Sequence, residues 1–456
     1  FAAADPYIQV KKSEEMSQFV IPNRIFDPAA ECMPRADRTK LQATHLRRTI
    51  EQAQKIPFYR RKFAEKNISP DSVKTVADLK RLPFTTKQDL RDAYPFGFFA
   101  VPRGELARIH ASSGTTGKPT FVGYTKKDMK LWADLCARFL VAGGLTSDQL
   151  VQVSFGYGLF TGGFGLHGGI ERVGAAVLPA SSGNTQRQIM LLKDAGINTL
   201  ICTPSYALNL AETIQGQGLK KGDLALRFAH FGGEPWTEEM RCAIEEELGI
   251  HAFNNYGLSE IIGPGVAGEC AARTGMHIQE DNFLVECLNP NTLEPVAEGE
   301  EGELVITSLT KEACPIIRYR TRDLARLYYD QCPCGRTTIR MSRVKGRSDD
   351  MMIIRGVNVF PTQIEEALLR VDGTAPHFMI ELTRPGNLDE AVVKVEIREQ
   401  DFSDKMEEMH RLRDRIGREI SSITGIHFTI ELVEPNTLER FTGKAKRVLD
   451  LRNLKC

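Results

Sequence analysis

The chain has 456 residues, too many for one ordinary domain, so two or three are expected. Hydrophobic residues make up 42% and charged residues 26%, and Lys plus Arg equals Asp plus Glu at 59 each, as suits a soluble globular protein. The basic excess of a nucleic-acid binder or of a protein held on an anionic membrane is missing, so neither partner is expected.

In chain order, residues 40–54 have helical spacing and end at a turn near Pro57. From about 108 to 201, short apolar runs alternate with glycine loops and helical stretches such as 128–141 and 186–195, with a strand at 197–202. This alternation predicts a parallel sheet covered by helices. The uncharged run 149–170 is long enough to suggest a membrane span, but its seven glycines predict a strand followed by a loop. Between 302 and 327 the pattern shifts to short strands, ELVITSL and LARLYY, which predicts an antiparallel or barrel-like subdomain.

The last hundred residues differ again. A helix is expected at 361–370 and strands at 377–382, 391–398 and 427–433. Phe402, Met406, Met409, Leu412, Ile416 and Ile420 fall at helical spacings between them. The fold class is therefore α/β. A large body of layered sheets is expected over 1–345 and a small α+β cap over 351–456, hinged at 346–350. No basic segment followed by an apolar one opens the chain, and ten cysteines are spread without a dense framework, so a reduced, cytoplasmic setting is expected.

Residues 111–120 read ASSGTTGKPT. Glycines allow close backbone approach, and the hydroxyls and N–H groups of Ser112, Ser113, Gly114, Thr115 and Thr116 can surround phosphate oxygens. The Walker A pattern fails, because Lys118 is followed by Pro119. Gly163, Gly165 and Gly168 match G-x-G-x-x-G, but no acidic residue follows in a strand-like setting, so the match is set aside. Cys270 and His277, followed later by Cys332 and Cys334, supply four soft or borderline ligands, enough for a tetrahedral structural zinc.

Further motifs follow in order: FGGEPW at 231–236, NYGLSE at 255–260, YRTRDL at 319–324, GRSDDMMIIRGVNVFP at 346–361 and GKAKRV at 443–448. Together with SSGTTGKPT they resemble the adenylate-forming superfamily from about residue 60 onward. RGVNVFP with FGYGLFTGG is similar to the phenylacetate–CoA ligase family within it.

The resemblance implies a ligase that uses ATP, Mg2+ and coenzyme A to activate a small aromatic carboxylic acid, and it implies a homodimer. The loop Ser112 to Thr116 would hold the β- and γ-phosphates and Glu260 the Mg2+. Gly233, Glu234 and Pro235 would flank the adenine, with Tyr256 and Gly257 beside it. Asp323 would take the ribose hydroxyls, and Arg347 would assist at the ribose or phosphates. Lys444 would be the catalytic lysine, with Lys446 as the alternative, and Asp349 the hinge. Tyr157, Phe160 and Gly162 would line the acid pocket, where aromatic walls suit a flat ring. Two rivals remain: a transferase of the same family that adenylylates a deazaflavin, and a non-catalytic zinc-stabilised binding module.

Overall fold

The computed structural model describes residues 21–112, 119–354, 357–384, 389–398, 401, 406–439 and 447–452. Its centre is a nine-stranded sheet. Strands Ala176–Leu178, Leu150–Val153, Thr199–Cys202, Phe228–Phe231 and His251–Leu258 lie side by side and parallel. Beyond His251–Leu258 the direction alternates through Gly263–Glu269, Met276–Ile278, Arg340–Met341 and Leu327–Tyr328. The parallel strands at 199–202 and 228–231 are buried throughout and are mainly apolar, with Thr199 and His230 the exceptions, as suits strands covered on both faces.

Helix Lys126–Ala142 starts at a reciprocal cap. Thr125 accepts from the Asp128 N–H at 3.1 Å, and the Asp128 carboxylate accepts from the Thr125 N–H at 2.9 Å. The run 149–170 departs from expectation, because strand Leu150–Val153 leads through a loop into helix Gly162–Val173. Its glycines allow helix–helix contact: a Cβ at Gly165 would lie 2.3 Å from Trp132, and one at Gly169 would lie 2.4 Å from Cys136. No helix among the described residues is long and apolar enough to cross a membrane.

Strands Phe283–Leu288, Gly302–Ser308, Tyr319–Ala325 and Gly346–Arg347 form a second, antiparallel sheet. Among the described residues these pairings run in an open line and do not close into a barrel. The segment LARLYY is also two strands and not one. The chain leaves this sheet after Ala325 and joins the central sheet at Leu327. Arg326, at the crossing, exchanges hydrogen bonds with Ser342.

The C-terminal unit is a four-stranded sheet, Thr429–Val433, Glu390–Ile397, Thr374–Thr383 and Val448–Asp450 in spatial order. Helices Pro361–Leu369 and Met406–Thr424 pack on it, sharing a core of Ile364, Leu368, Ile380, Val393, Val395, Leu412, Ile416 and Ile420. The expected alternation at 391–398 holds except at Glu396, which is buried and accepts from the Leu438 N–H at 2.6 Å. Polar contacts to the body include Arg370 to Glu239 at 3.2 Å, His377 to Glu212 at 3.2 Å, and the Thr362 hydroxyl to the Lys345 carbonyl at 2.6 Å, and Leu369 packs against the body's apolar cluster around Trp236 and Met240.

Candidate active site

In open sheets of parallel strands, ligands bind at the loops that follow the carboxyl ends of the strands. Strands Phe228–Phe231 and His251–Leu258 each run at that end directly into a motif. Glycine is required in both. A Cβ at Gly232 would lie 2.7 Å from the Asn255 carbonyl oxygen, and one at Gly257 would lie 1.9 Å from the Gly263 carbonyl oxygen. Gly233 has φ +88°, a left-handed conformation that suits glycine. Glu234 turns back to accept the Ser205 N–H at 2.8 Å, and Pro235 follows it.

Tyr256 and Asp323 meet here. The buried Tyr256 hydroxyl donates to Asp323 Oδ2 at 2.6 Å, and Arg347 Nη1 donates to Asp323 Oδ1 at 3.2 Å. Arg347 then makes two 2.9 Å bonds to Asp349, joining four predicted residues in one polar line. Backbone register explains the middle link, since Asp323 and Arg347 are directly opposed across antiparallel strands. Burial, and then the Asp323 charge, push the Tyr256 phenol well above its usual range. The carboxylates around Arg347 raise its guanidinium despite burial, so its charge is held firmly. Sequence reasoning placed Tyr256 beside a base; its bond to Asp323 was not foreseen.

Glu260 lies beyond the same strand, nearly enclosed, with Lys87 Nζ 3.7 Å from its Oε1. Ser259 holds Thr161, with 2.9 Å between the hydroxyl oxygens. Lys311 is fully buried nearby, donating to the Ile261 carbonyl at 2.9 Å with Nζ 4.4 Å from the Tyr124 ring centroid. Burial lowers its ammonium below the usual lysine range, partly offset by Asp128 and Glu260. Neither Lys87 nor Lys311 lies in a recognised motif, so neither was legible before folding.

Ser112 ends strand Leu106–Ser112, with a buried hydroxyl that has no partner among the described residues. Ser113, Gly114, Thr115 and Thr116 lie outside the described residues, as do Lys444 and Lys446. The loop after Val153 docks on the same strand, since the Ala111 N–H donates to the Leu159 carbonyl at 2.8 Å. The Tyr157 ring meets Phe164 edge-on at 5.2 Å, with its hydroxyl 3.1 Å from His167 Nδ1. Burial raises the Tyr157 phenol. Gly162 and Gly233 both face Phe155, where an added Cβ would sit 3.6 Å from its ring in each case. Phe155 thus links the two loops. Phe160, expected as a wall, is 53% exposed, because the loop turns outward at Leu159 and Phe160 before the helix begins.

The four metal-type residues converge, all buried, with ligand atoms within 4.8 Å of one another. Cys270 and Cys332 sulfurs are 3.7 Å apart, and Cys334 Sγ is 3.3 Å from His277 Nε2. Two sulfurs each about 2.3 Å from a tetrahedral zinc would be about 3.8 Å apart, so the donors fit that ion. Thr338 holds the other ring nitrogen of His277 at 2.8 Å, the outer-shell bond that orients a ligating histidine.

Comparisons with known proteins identify the family. The AMP-binding enzyme family model matches residues 40–310, and the AMP-binding enzyme C-terminal domain matches 356–452. A phenylacetate-coenzyme A ligase of Thermus thermophilus is 49% identical over 443 residues, covering 94% of this chain and 100% of that protein. The one from Escherichia coli is 48% identical over 417 residues, covering 91% and 95%. In structure, the chain matches 2-hydroxyisobutyryl-CoA ligase in its postadenylation state with 2-HIB-AMP at a TM-score of 0.88 and 30% identity, covering 93% and 92%. Against the same ligase in its thioesterification state, with CoA also bound, the TM-score is 0.69. The chain belongs to the AMP-binding, adenylate-forming enzymes and, within them, to the phenylacetate–CoA ligase family.

Proposed function

We propose that the chain is an ATP-dependent acid–CoA ligase for a small aryl-acetic acid, with phenylacetate the first choice. In the first half-reaction a carboxylate oxygen attacks the α-phosphorus of ATP, and the bond to pyrophosphate breaks. In the second, the thiol sulfur of CoA attacks the acyl carbon of the acyl-AMP, and AMP leaves. The observation that carries this reading is the line Tyr256–Asp323–Arg347–Asp349, at the junction of the central sheet, the second sheet and the cap. A carboxylate held between a phenol and a guanidinium is equipped to take the two hydroxyls of a ribose.

In this reading Gly233, Glu234 and Pro235 border the adenine beside Tyr256 and Gly257, and Arg347 assists. Ser112 with Ser113, Gly114, Thr115 and Thr116 takes the terminal phosphates, and the buried Ser112 hydroxyl, without a partner among the described residues, supports this. Lys444 orients the reacting carboxylate. Tyr157 and Gly162, with Phe155 between the loops, receive the aromatic ring, and Phe160 lies at the mouth. The body ends at 345, and the cap turns about Asp349 between the half-reactions.

A nearly enclosed carboxylate suits a hard cation, so Glu260 fits Mg2+, which when bound neutralises phosphate charge. Cys270, His277, Cys332 and Cys334 hold a structural zinc, because four protein ligands leave no open position for chemistry.

Specificity is tested by kcat/KM for phenylacetate, benzoate, indoleacetate, acetate and a C8 fatty acid under identical ATP and CoA. Phenylacetate should lead, and a preference for acetate or the fatty acid would overturn the aromatic pocket. Pyrophosphate release that requires acid, and product formation that requires CoA, separate this reaction from deazaflavin adenylylation and from mere binding.

A further inference from the structure

Lys87 opens the short helix Lys87–Asp92, and the residues before it are firmly anchored. Thr85 is fully buried. Its N–H donates to the Arg318 carbonyl at 3.0 Å, and its carbonyl accepts from the Arg320 N–H at 2.9 Å. Its hydroxyl donates to the Ile317 carbonyl at 2.7 Å and lies 2.7 Å from the Tyr59 hydroxyl. Thr86 then caps the helix through the Asp89 carboxylate. The backbone that carries Lys87 is thus fixed to the segment leading into the Asp323 strand.

From this anchor the lysine reaches Glu260, and among the described residues it is the one cation within 4.0 Å of that carboxylate. The contact is loose at 3.7 Å, and the two side chains differ in setting: Glu260 is 7% exposed and Lys87 38%. A lysine is a compact charge on a flexible four-carbon stem, so its ammonium can swing while its backbone stays in place. If Glu260 takes a divalent cation, as proposed above, the metal and the ammonium compete for one carboxylate. The ammonium must then find another anion, and the triphosphate that arrives with the metal is the anion at hand.

We infer that Lys87 is a phosphate-binding residue of the adenylation half-reaction, one that holds Glu260 while no metal is there and turns to a phosphate oxygen when magnesium–ATP binds. The inference rests on Glu260 being the magnesium ligand. It gives Lys87 two effects of opposite sign. The lysine weakens metal binding to the nucleotide-free protein and strengthens binding of ATP. It has no part in thioester formation, which follows loss of pyrophosphate.

The test uses the full chain and Mn2+ as the metal probe. Without nucleotide, Lys87→Met should bind Mn2+ about three- to tenfold more tightly by electron paramagnetic resonance titration, because a competing charge is gone. The same variant should show a KM for ATP raised about tenfold or more, as expected for loss of a charge-assisted hydrogen bond. Thioester formation from supplied phenylacetyl-AMP should change less than about twofold. Lys87→Arg, which keeps the charge, should recover most of the ATP affinity. Lys87→Met with unchanged Mn2+ affinity and unchanged KM for ATP overturns the inference, and so does equal loss of both half-reactions. Glu260→Gln is the control for the underlying reading: if it leaves Mn2+ affinity intact, the magnesium assignment fails. If it abolishes Mn2+ binding while Lys87→Met has no effect, only the Lys87 inference fails.

Discussion

Tyr256 donates its hydroxyl to the Asp323 carboxylate at 2.6 Å, and this bond ties the last parallel strand of the central sheet to the antiparallel sheet beside it. Tyr256→Phe removes the donor but keeps the buried ring. The variant should lose about 1–2 kcal/mol of stability, the usual cost of depriving a buried carboxylate of one hydrogen bond. Its KM for ATP should rise about three- to tenfold, because Asp323 is then less firmly placed for the ribose. A lower melting temperature with unchanged KM would make the bond purely structural.

Glu365 supplies a pH dependence. It is buried on the cap helix, 3.3 Å from Arg447 of the same unit, and it faces Glu234 and Glu239 of the body. Burial pushes its carboxyl up to about 7; Arg447 opposes the shift, and Glu234 and Glu239 add to it. The folded protein therefore binds a proton at this site through the window from about 4.5 to about 7, where the unfolded chain has released it. The sign follows: this group's stabilisation is complete below about 4.5 and is lost as pH rises through about 7. Glu365→Gln keeps the shape of the protonated acid. Its melting temperature relative to the parent should rise with pH from about 5 and level off above about 7. A difference that stays flat across that range would show that the carboxyl titrates normally.

The zinc reading predicts about one equivalent of metal per chain as purified. Loss should be felt beyond the four ligands. Asn23 donates to the Cys334 carbonyl at 2.9 Å, and Arg336, two residues on, is ion-paired with the buried Glu31. Cys332→Ser should therefore lose the metal, lower the melting temperature and expose the segment around residues 21–34 to earlier proteolysis. Less than about a tenth of an equivalent, in protein never exposed to chelator, would overturn the assignment.

Much of this was legible in the sequence, and the exceptions have physical causes. Period-two alternation gave the strand at 390–397 and helical spacing gave the helix at 406–424, because each element buries one face. The four metal-type residues were legible because cysteine and histidine carry their chemistry in their identity. Helix Gly162–Val173 was not, since its glycines meet Trp132 and Cys136, and a demand for close packing looks like loop composition. The split of LARLYY was equally hidden. A strand pattern records which face is buried but not which sheet it joins. Lys87 could not be found at all, because its importance depends on Glu260, which only folding brings near.

The hinge gives the last test. Strand Gly346–Arg347 closes the second sheet, and Asp349 follows within two residues, holding Arg347 through two 2.9 Å bonds. The whole chain matches 2-hydroxyisobutyryl-CoA ligase better in its postadenylation state, with TM-score 0.88, than in its thioesterification state, with 0.69. In the proposed reading the cap moves between the half-reactions and the backbone at 349 absorbs the change. Proline fixes φ near −65°, so Asp349→Pro should restrict that movement. Acyl-AMP formation, followed by pyrophosphate release in a single turnover, should persist. Thioester formation from the bound acyl-AMP should slow by about tenfold or more, as expected when a gating motion becomes rate-limiting. Asp349→Ala separates the backbone from the side chain, because it removes two of Arg347's bonds without fixing φ, and it should leave the second step largely intact. Equal loss of both steps in Asp349→Pro, with a lower melting temperature, would indicate damage to the fold and place the hinge elsewhere.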